Sequence, residues 1–159
     1  MITRRGLLTA FLSFTTGMIA SRQATAEVKA DAEMRFPGDP TDHNVVYQLN
    51  KADARYHDSV LFSVAEVLRK YHDNVTIVVT VIGPGLHVLA KKPLRPVSDN
   101  VKEKIKSLAD YGIKFHACGN TMKSLNWTKD DLYDFVEVVD VGAVDLIELQ
   151  EQGYGYISW

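Results

Sequence analysis

Eight consecutive β-branched residues, Val-Thr-Ile-Val-Val-Thr-Val-Ile at positions 75–82, constrain the fold more than any other part of this sequence. Branching at Cβ favours extended backbone. Successive side chains point to opposite faces of a strand, and apolar residues on both faces are typical of a strand that helices cover on both sides, as in parallel sheets. The Gly-Pro-Gly sequence at 83–85 ends the strand sharply and is a candidate ligand loop. The run therefore predicts the strongest strand of the chain.

Helical and extended patterns alternate along the rest of the chain. Apolar residues recur at three- and four-residue steps over 55–71, and again between the capping residues at 98–100 and Gly112. The other predicted strands are 44–49, 113–117, 136–141 and 154–159. The later helices are 121–125 and 143–152, with a short helical turn at 86–90 and a further helix start at 128–131. This alternation predicts an α/β domain with a five-stranded, mainly parallel, doubly wound sheet, flavodoxin- or Rossmann-like, with helices on both faces.

The N-terminal segment has the layout of an export signal. Arg4 and Arg5 precede an uncharged apolar stretch at 6–20, and small residues at 24–26 offer a cleavage site near Ala26. The paired arginines resemble a twin-arginine signal, whereas a general secretion signal and an uncleaved anchor are the alternatives. The predicted division is a signal peptide at 1–26, a polar arm at 27–42 and an α/β domain at 43–159, with the mature protein in the periplasm.

Charge narrows the classes of partner. Residues 1–26 hold three arginines and no acidic residue, so the remainder has 15 basic and 20 acidic side chains, a net charge of −5. A net-negative domain without a basic cluster is a poor candidate for nucleic-acid or anionic-membrane binding. We therefore expect no nucleic-acid partner, and no membrane partner after signal cleavage.

Familiar cofactor and catalytic motifs are absent from the sequence. It contains neither a phosphate-binding glycine motif nor the G-x-S-x-G turn of serine hydrolases. His43, His57, His72 and His87 lack metal-ligand spacing, and we interpret them as scattered surface residues. The sequence predicts no cofactor and no metal.

The single cysteine, Cys118, is the strongest candidate for chemistry. It follows the third predicted strand and precedes a short helix, where free backbone N–H groups and the helix dipole favour a thiolate. A leftover cysteine in an exported protein is typical of a reactive thiol or an intermolecular bond. The alternative is a buried, inert thiol that packs as a small apolar side chain.

Four neighbours of the cysteine are candidates for supporting roles. Gly119 allows a close approach by another backbone or a thiol substrate, and Asn120 completes the Cys-Gly-Asn run. Lys123 lies about one helical turn later and would add positive charge. His116 lies two residues before Cys118, on the same face of the strand, where it would stabilise a thiolate or accept its proton. The competing interpretation is that His116 packs against the covering helix.

Two segments resemble the DsrE/DsrF-like sulfur-relay family: 111–122, which contains Cys-Gly-Asn, and 136–157, which contains Leu-Gln-Glu-x-Gly-Tyr at 149–154. The resemblance spans about 44–159. It implies a five-stranded parallel sheet and a homotrimer or homohexamer. For some members it also implies a cysteine that carries a persulfide between sulfur donor and acceptor proteins, a role that transfers only to Cys118.

Two functions remain open at this point. In the first, the protein is a periplasmic sulfur carrier, at most a sulfur-transfer protein, that accepts sulfane sulfur on Cys118 and passes it to a partner. In the second, it is a non-catalytic oligomeric module that binds a small ligand or protein at the 83–85 loop, with an inert Cys118.

Overall fold

The structure, a computed structural model, describes residues 39–159. The predicted signal peptide at 1–26 and most of the predicted arm lie outside the described residues. None of the helices within the described range combines the length and apolar character that crossing a membrane requires.

A five-stranded sheet forms the middle of the structure, with the strands in the order β4-β3-β2-β1-β5. The strands are β1 His43–Leu49, β2 Val75–Val81, β3 Lys114–Cys118, β4 Glu137–Val139 and β5 Gly155–Ile157. Four α-helices accompany them: α1 Ala54–Tyr71, α2 Asp99–Asp110, α3 Gly119–Leu125 and α4 Gly142–Glu151. Two 3₁₀ helices span Gly83–Leu89 and Lys129–Asp131.

Every neighbouring pair of strands in this sheet is parallel. The predicted five-stranded α/β fold is confirmed, and the β-branched run forms β2 at the sheet centre, paired with β1 and β3. The chain adds strands in one direction from β1 to β4 and then returns through α4 to place β5 beside β1. Since crossovers are right-handed, this reversal puts α4 on the face opposite α1 and α2.

Alternation along the strands divides the core into two layers. Tyr47 and Val79 belong to the larger layer, which α1 and α2 cover, whereas Val46 and Val78 belong to a smaller layer under α4. In β3, Phe115 and Ala117 enter the larger layer. The residues of β3 that alternate with these two, including the cysteine, consequently face α4.

Predicted boundaries differ from the structure mainly at the outer strands. β4 spans three residues instead of the predicted 136–141, and β5 spans three instead of 154–159. Each has one neighbouring strand, and hydrogen bonding on one side supports fewer residues than at the centre. The helix start predicted at 128–131 is a single 3₁₀ turn with a capping box between Thr128 and Asp131.

The interpretation of the histidines as surface residues is wrong for two of the four. His57 is buried, and its Nε2 lies 2.7 Å from the carbonyl oxygen of Lys51. His87 is also buried and packs edge-on against Trp127 at a ring distance of 5.1 Å. Its Nδ1 has no hydrogen-bond partner within residues 39–159. Both residues lie in the helical segments that follow β1 and β2, at the carboxyl end of the sheet.

Candidate functional site

Cys118 is the last residue of β3 and the residue immediately before α3. It pairs with Val139 of β4, and its side chain is free of any disulfide and only 4% exposed. The backbone leaves the strand in an extended conformation and enters the helix at the next residue. This placement directs the sulfur to the space beneath α4.

The cysteine lies at the starts of two helices, and its sulfur accepts a hydrogen bond from α4. The backbone N–H of Gly142, the first residue of α4, donates to Sγ over 3.3 Å. At the start of α3, the backbone N–H groups of Asn120 and Thr121 and the Thr121 hydroxyl also help to lower the pKa of Cys118, and the Asn120 N–H itself donates to the carbonyl oxygen of Asp140 over 3.2 Å. The residue before α4 is Val141, which supplies no capping side chain. The sulfur therefore accepts one of the N–H groups that the start of a helix leaves without an intrahelical partner.

These contacts lower the pKa of the cysteine. Burial of the sulfur by itself raises the pKa of Cys118, because a desolvated thiolate is less stable. Hydrogen bonds from Gly142, Thr121 and Asn120 favour the anion and outweigh burial, so the pKa of Cys118 is lower than that of an ordinary thiol. The site thus favours the nucleophilic form of the residue.

The Gly-Pro-Gly loop contributes to the site through Thr121. The N–H of Gly83 donates to the Thr121 hydroxyl oxygen over 2.9 Å. Since that oxygen accepts from Gly83, its own hydrogen is available to the cysteine sulfur. The loop predicted to hold a ligand therefore orients a donor toward Cys118.

Two glycines allow the surrounding backbone to close on the site. A Cβ on Gly119 would lie 2.9 Å from the carbonyl oxygen of Val139, so the close approach predicted for this glycine is made by the end of β4. A Cβ on Gly142 would lie 2.7 Å from Cγ1 of Ile82 and 3.1 Å from Cβ of Cys118. Real carbon atoms rarely approach so closely. Both positions therefore require glycine in this arrangement.

His116 faces α4 as Cys118 does, but it bonds to acidic residues and not to the sulfur. Its Nδ1 lies 2.9 and 3.1 Å from the two carboxylate oxygens of Asp145, in the first part of α4. Thr80 donates its hydroxyl to the same carboxylate over 2.6 Å. The His116 Nε2 lies 3.6 Å from Glu137 Oε2. The ring therefore packs against the covering helix, as the competing interpretation expected.

The side chains of the other two candidates, Asn120 and Lys123, are not among the groups that shift the pKa of Cys118. Asn120 is exposed, and only its backbone N–H is among the groups that lower the pKa of Cys118. Lys123 is exposed in the last turn of α3, and it is not among the described groups that shift the pKa of Cys118. Its predicted electrostatic role has no support in the structure.

Sequence reasoning missed the residues that act across the fold. Gly142, Thr121 and Asp145 contact Cys118 or His116 from segments whose proximity depends on the sheet order. A signal was present for Asp145, which is the one charged residue in the apolar run from 141 to 147. An acid in an otherwise apolar first turn indicates a buried polar partner.

Two surface depressions differ in their relation to this site. A cleft of about 560 Å³ follows β4 and the first turns of α4, with Val138, Asp140 and Asp145 among its lining. A larger groove of about 920 Å³ lies between α1 and α2, on the opposite face of the sheet. Within residues 39–159, no group of three or more His, Cys, Asp or Glu side chains could hold a metal ion.

Comparison with known proteins places the chain in a family. No match was found among curated proteins. Among solved structures, a protein of unknown function from Methanobacterium thermoautotrophicum, MTH1491, is 26% identical with a TM-score of 0.63, covering 74% of this chain and 100% of its own. The ychN protein from E. coli shares the fold at 14% identity and a TM-score of 0.61, covering 74% of this chain and 99% of its own. The sequence profile of the DsrE/DsrF-like family matches residues 43–159, and the chain therefore belongs to that family.

Proposed function

We propose that this protein is a sulfur carrier that accepts sulfane sulfur on Cys118 as a persulfide and passes it to a partner protein. One observation carries the proposal: the Gly142 N–H at the start of α4 donates to the buried Cys118 sulfur, and the pKa of Cys118 is lowered despite that burial. The thiolate is the form of cysteine that attacks sulfur. Membership of the DsrE/DsrF-like family supports a sulfur relay as the setting of this chemistry.

The proposed loading step is a thiol–persulfide exchange. The Cys118 thiolate attacks the outer sulfur of a donor R–S–SH. The new S–S bond forms as the donor S–S bond breaks, which gives Cys118–S–SH and the donor thiolate R–S⁻, so no external oxidant or reductant is required.

Delivery reverses the exchange. A thiolate of the acceptor attacks the outer sulfur and releases the Cys118 thiolate. Thiols of low pKa leave faster in such reactions, so the donors of Gly142 and Thr121 assist delivery as well as loading.

The proposed cellular setting follows from the N-terminal sequence. Arg4, Arg5 and the apolar stretch at 6–20 support export to the periplasm through a cleaved signal. Cell fractionation tests this directly, and retention in the cytoplasm would contradict it. Replacing both arginines by lysine keeps the charge, so loss of export would identify the twin-arginine route, whereas continued export would identify the general route.

The proposed assembly is a homotrimer or homohexamer. Val138 on β4 and Val144 and Ile147 on α4 are exposed apolar side chains, which subunit contacts commonly bury. Sedimentation analysis of the mature protein should give a mass of three or six chains, and a monomer would refute the proposed assembly.

Persulfide formation on Cys118 is the direct test of the carrier. After exposure to polysulfide, intact-mass spectrometry should show an increase of about 32 Da, the mass of one sulfur atom, that a thiol reductant removes. The Cys118→Ser variant is the matched control and should gain nothing. An unmodified wild-type protein, beside a carrier that loads under the same conditions, would refute the function.

A second candidate function is favoured by one observation, the 4% exposure of Cys118. In that function the protein is a non-catalytic oligomeric module that binds a small ligand or a protein, and the thiol is inert packing. Thiol titration of the native protein separates the two. Fast alkylation with a lowered pKa supports the carrier, and alkylation that requires unfolding supports the binding module.

A further inference from the structure

A buried polar cluster joins α4 to the sheet next to the cysteine. Of the five buried polar or charged side chains within residues 39–159, three belong to it: Thr80, His116 and Asp145. The Asp145 carboxylate is 8% exposed, accepts the Thr80 hydroxyl over 2.6 Å and receives the His116 ring at 2.9 and 3.1 Å. A buried carboxylate is costly unless it is hydrogen-bonded, as this one is.

The cluster spans two neighbouring strands and one helix. Thr80 and His116 are register partners on β2 and β3, and Asp145 bonds to both from α4. The remaining buried contacts of α4 in this layer are apolar, from Leu146 and Leu149. Apolar contacts have no preferred direction, whereas hydrogen bonds fix both distance and angle. The cluster therefore supplies the directional contacts between α4 and the strands beneath it.

This cluster is adjacent to the hydrogen bond between Gly142 and Cys118, both along α4 and along β3. Asp145 follows Gly142 by three residues, a rise of about 4.5 Å along the helix. Cys118 follows His116 by two residues, about 6.6 Å along the strand. The bond between Asp145 and His116 and the bond between Gly142 and Cys118 thus connect the same helix turn to the same strand.

We propose that Thr80, His116 and Asp145 form a positioning cluster that holds the first turn of α4 against β3, so that the Gly142 N–H stays within hydrogen-bonding distance of the Cys118 sulfur. The three residues act through Gly142 and do not touch the reacting sulfur. The proposal deepens the sulfur-carrier function and rests on it for its biological meaning. It makes a separate claim about the free thiol, which is measurable without any sulfur donor.

The decisive measurement is the pKa of Cys118 in Asp145→Asn and Thr80→Val, from the pH dependence of thiolate absorbance and alkylation rate. Loosening α4 should raise this pKa by about one unit in Asp145→Asn, which is a roughly tenfold loss of thiolate well below the pKa. Direct removal of a nearby negative charge would instead lower the pKa. The sign of the shift therefore separates positioning from simple charge.

Thr80→Val tests the same cluster without changing charge. It removes one hydroxyl from a buried β-strand residue and should raise the Cys118 pKa by a smaller amount in the same direction. The matched control is Tyr47→Phe, which removes a buried strand residue's 2.9 Å hydrogen bond to Ser63 in the other core layer. Tyr47→Phe should leave the thiol pKa unchanged.

The proposal is overturned if the pKa is unchanged or falls in a folded Asp145→Asn variant, or if Tyr47→Phe shifts it equally. If Asp145→Asn does not fold, Thr80→Val decides alone, and an unchanged thiol pKa there refutes the proposal. Failure of the carrier function appears separately, as wild-type protein that gains no sulfur on Cys118. A rise in pKa in both cluster variants, with the control unchanged, supports the proposal.

Discussion

Adding one methyl group at Gly142 should raise the pKa of Cys118. In Gly142→Ala, the new Cβ would lie 2.7 Å from Ile82 Cγ1 and 3.1 Å from Cys118 Cβ. Carbon atoms pack at about 3.5–4.0 Å. Rotation of Ile82 relieves the first contact, but the second involves an atom fixed to β3. The start of α4 must therefore move outward by roughly 0.4–0.9 Å to restore ordinary contacts.

This movement weakens the hydrogen bond to the sulfur. The Gly142 nitrogen lies 3.3 Å from Sγ, and the shift takes it to roughly 3.7–4.2 Å, where a hydrogen bond to sulfur is weak or lost. A hydrogen bond to a charged group contributes about 1.5–3 kcal/mol, and one pKa unit corresponds to about 1.4 kcal/mol. We expect the Cys118 pKa to rise by about one unit and overpacking to lower the free energy of unfolding by about 1–3 kcal/mol.

The assay is the rate of alkylation by iodoacetamide across pH, combined with urea unfolding. Gly155→Ala is the matched control, because its new Cβ would meet only the Asn44 carbonyl oxygen at 3.8 Å. Ile82→Ala in the Gly142→Ala background removes the closest contact but leaves the contact with Cys118 Cβ, so the pKa change should persist. A folded Gly142→Ala protein with the wild-type thiol pKa would refute the idea that this N–H stabilises the thiolate.

Three further variants test separate contacts. Thr121→Val removes a hydroxyl donor and should raise the Cys118 pKa by about one unit, measured by alkylation, whereas Thr121→Ser should not. Burial and then a nearby positive charge lower the pKa of His87, so only the unfolded chain gains its proton as pH falls below about 6.5. The free energy of unfolding therefore falls as pH drops below this value. The urea midpoint of His87→Gln should fall less steeply at acid pH than that of the wild type, and an equal slope would contradict the prediction. Ile105→Ala empties a fully buried position and should cost about 2–5 kcal/mol in urea unfolding, with a cost below 1 kcal/mol contradicting its core role.

The fold was predictable because its determinants are local. The β-branched run of β2, the apolar periodicity of α1 and the glycine after α2 each specify one element, and right-handed crossovers then leave few arrangements. Gly112 indeed adopts a φ of +89°, which suits glycine at a helix end. The short outer strands were less predictable, since their lengths depend on a single neighbour.

The site was predictable only in part, for the same physical reason. Cys118 and His116 share one strand, so their common orientation follows from the pleat. Their partners Gly142 and Asp145 lie 24 and 29 residues further along the chain, and no local pattern brings them together. Only the return of the chain through α4, across the face of β3, creates these contacts.

A helix whose first N–H is capped by a thiolate has a stability that depends on one titrating atom. The folded pKa of Cys118 is lowered, so ionisation favours the folded chain at pH values above the unfolded pKa of about 8.5. That contribution is lost as pH falls through the folded pKa, and also when alkylation or acquired sulfur moves the anion away from Gly142. Because α4 covers the smaller layer of the core and its first N–H bonds to Cys118, the attachment of that helix to the sheet is linked to the chemical state of a single sulfur.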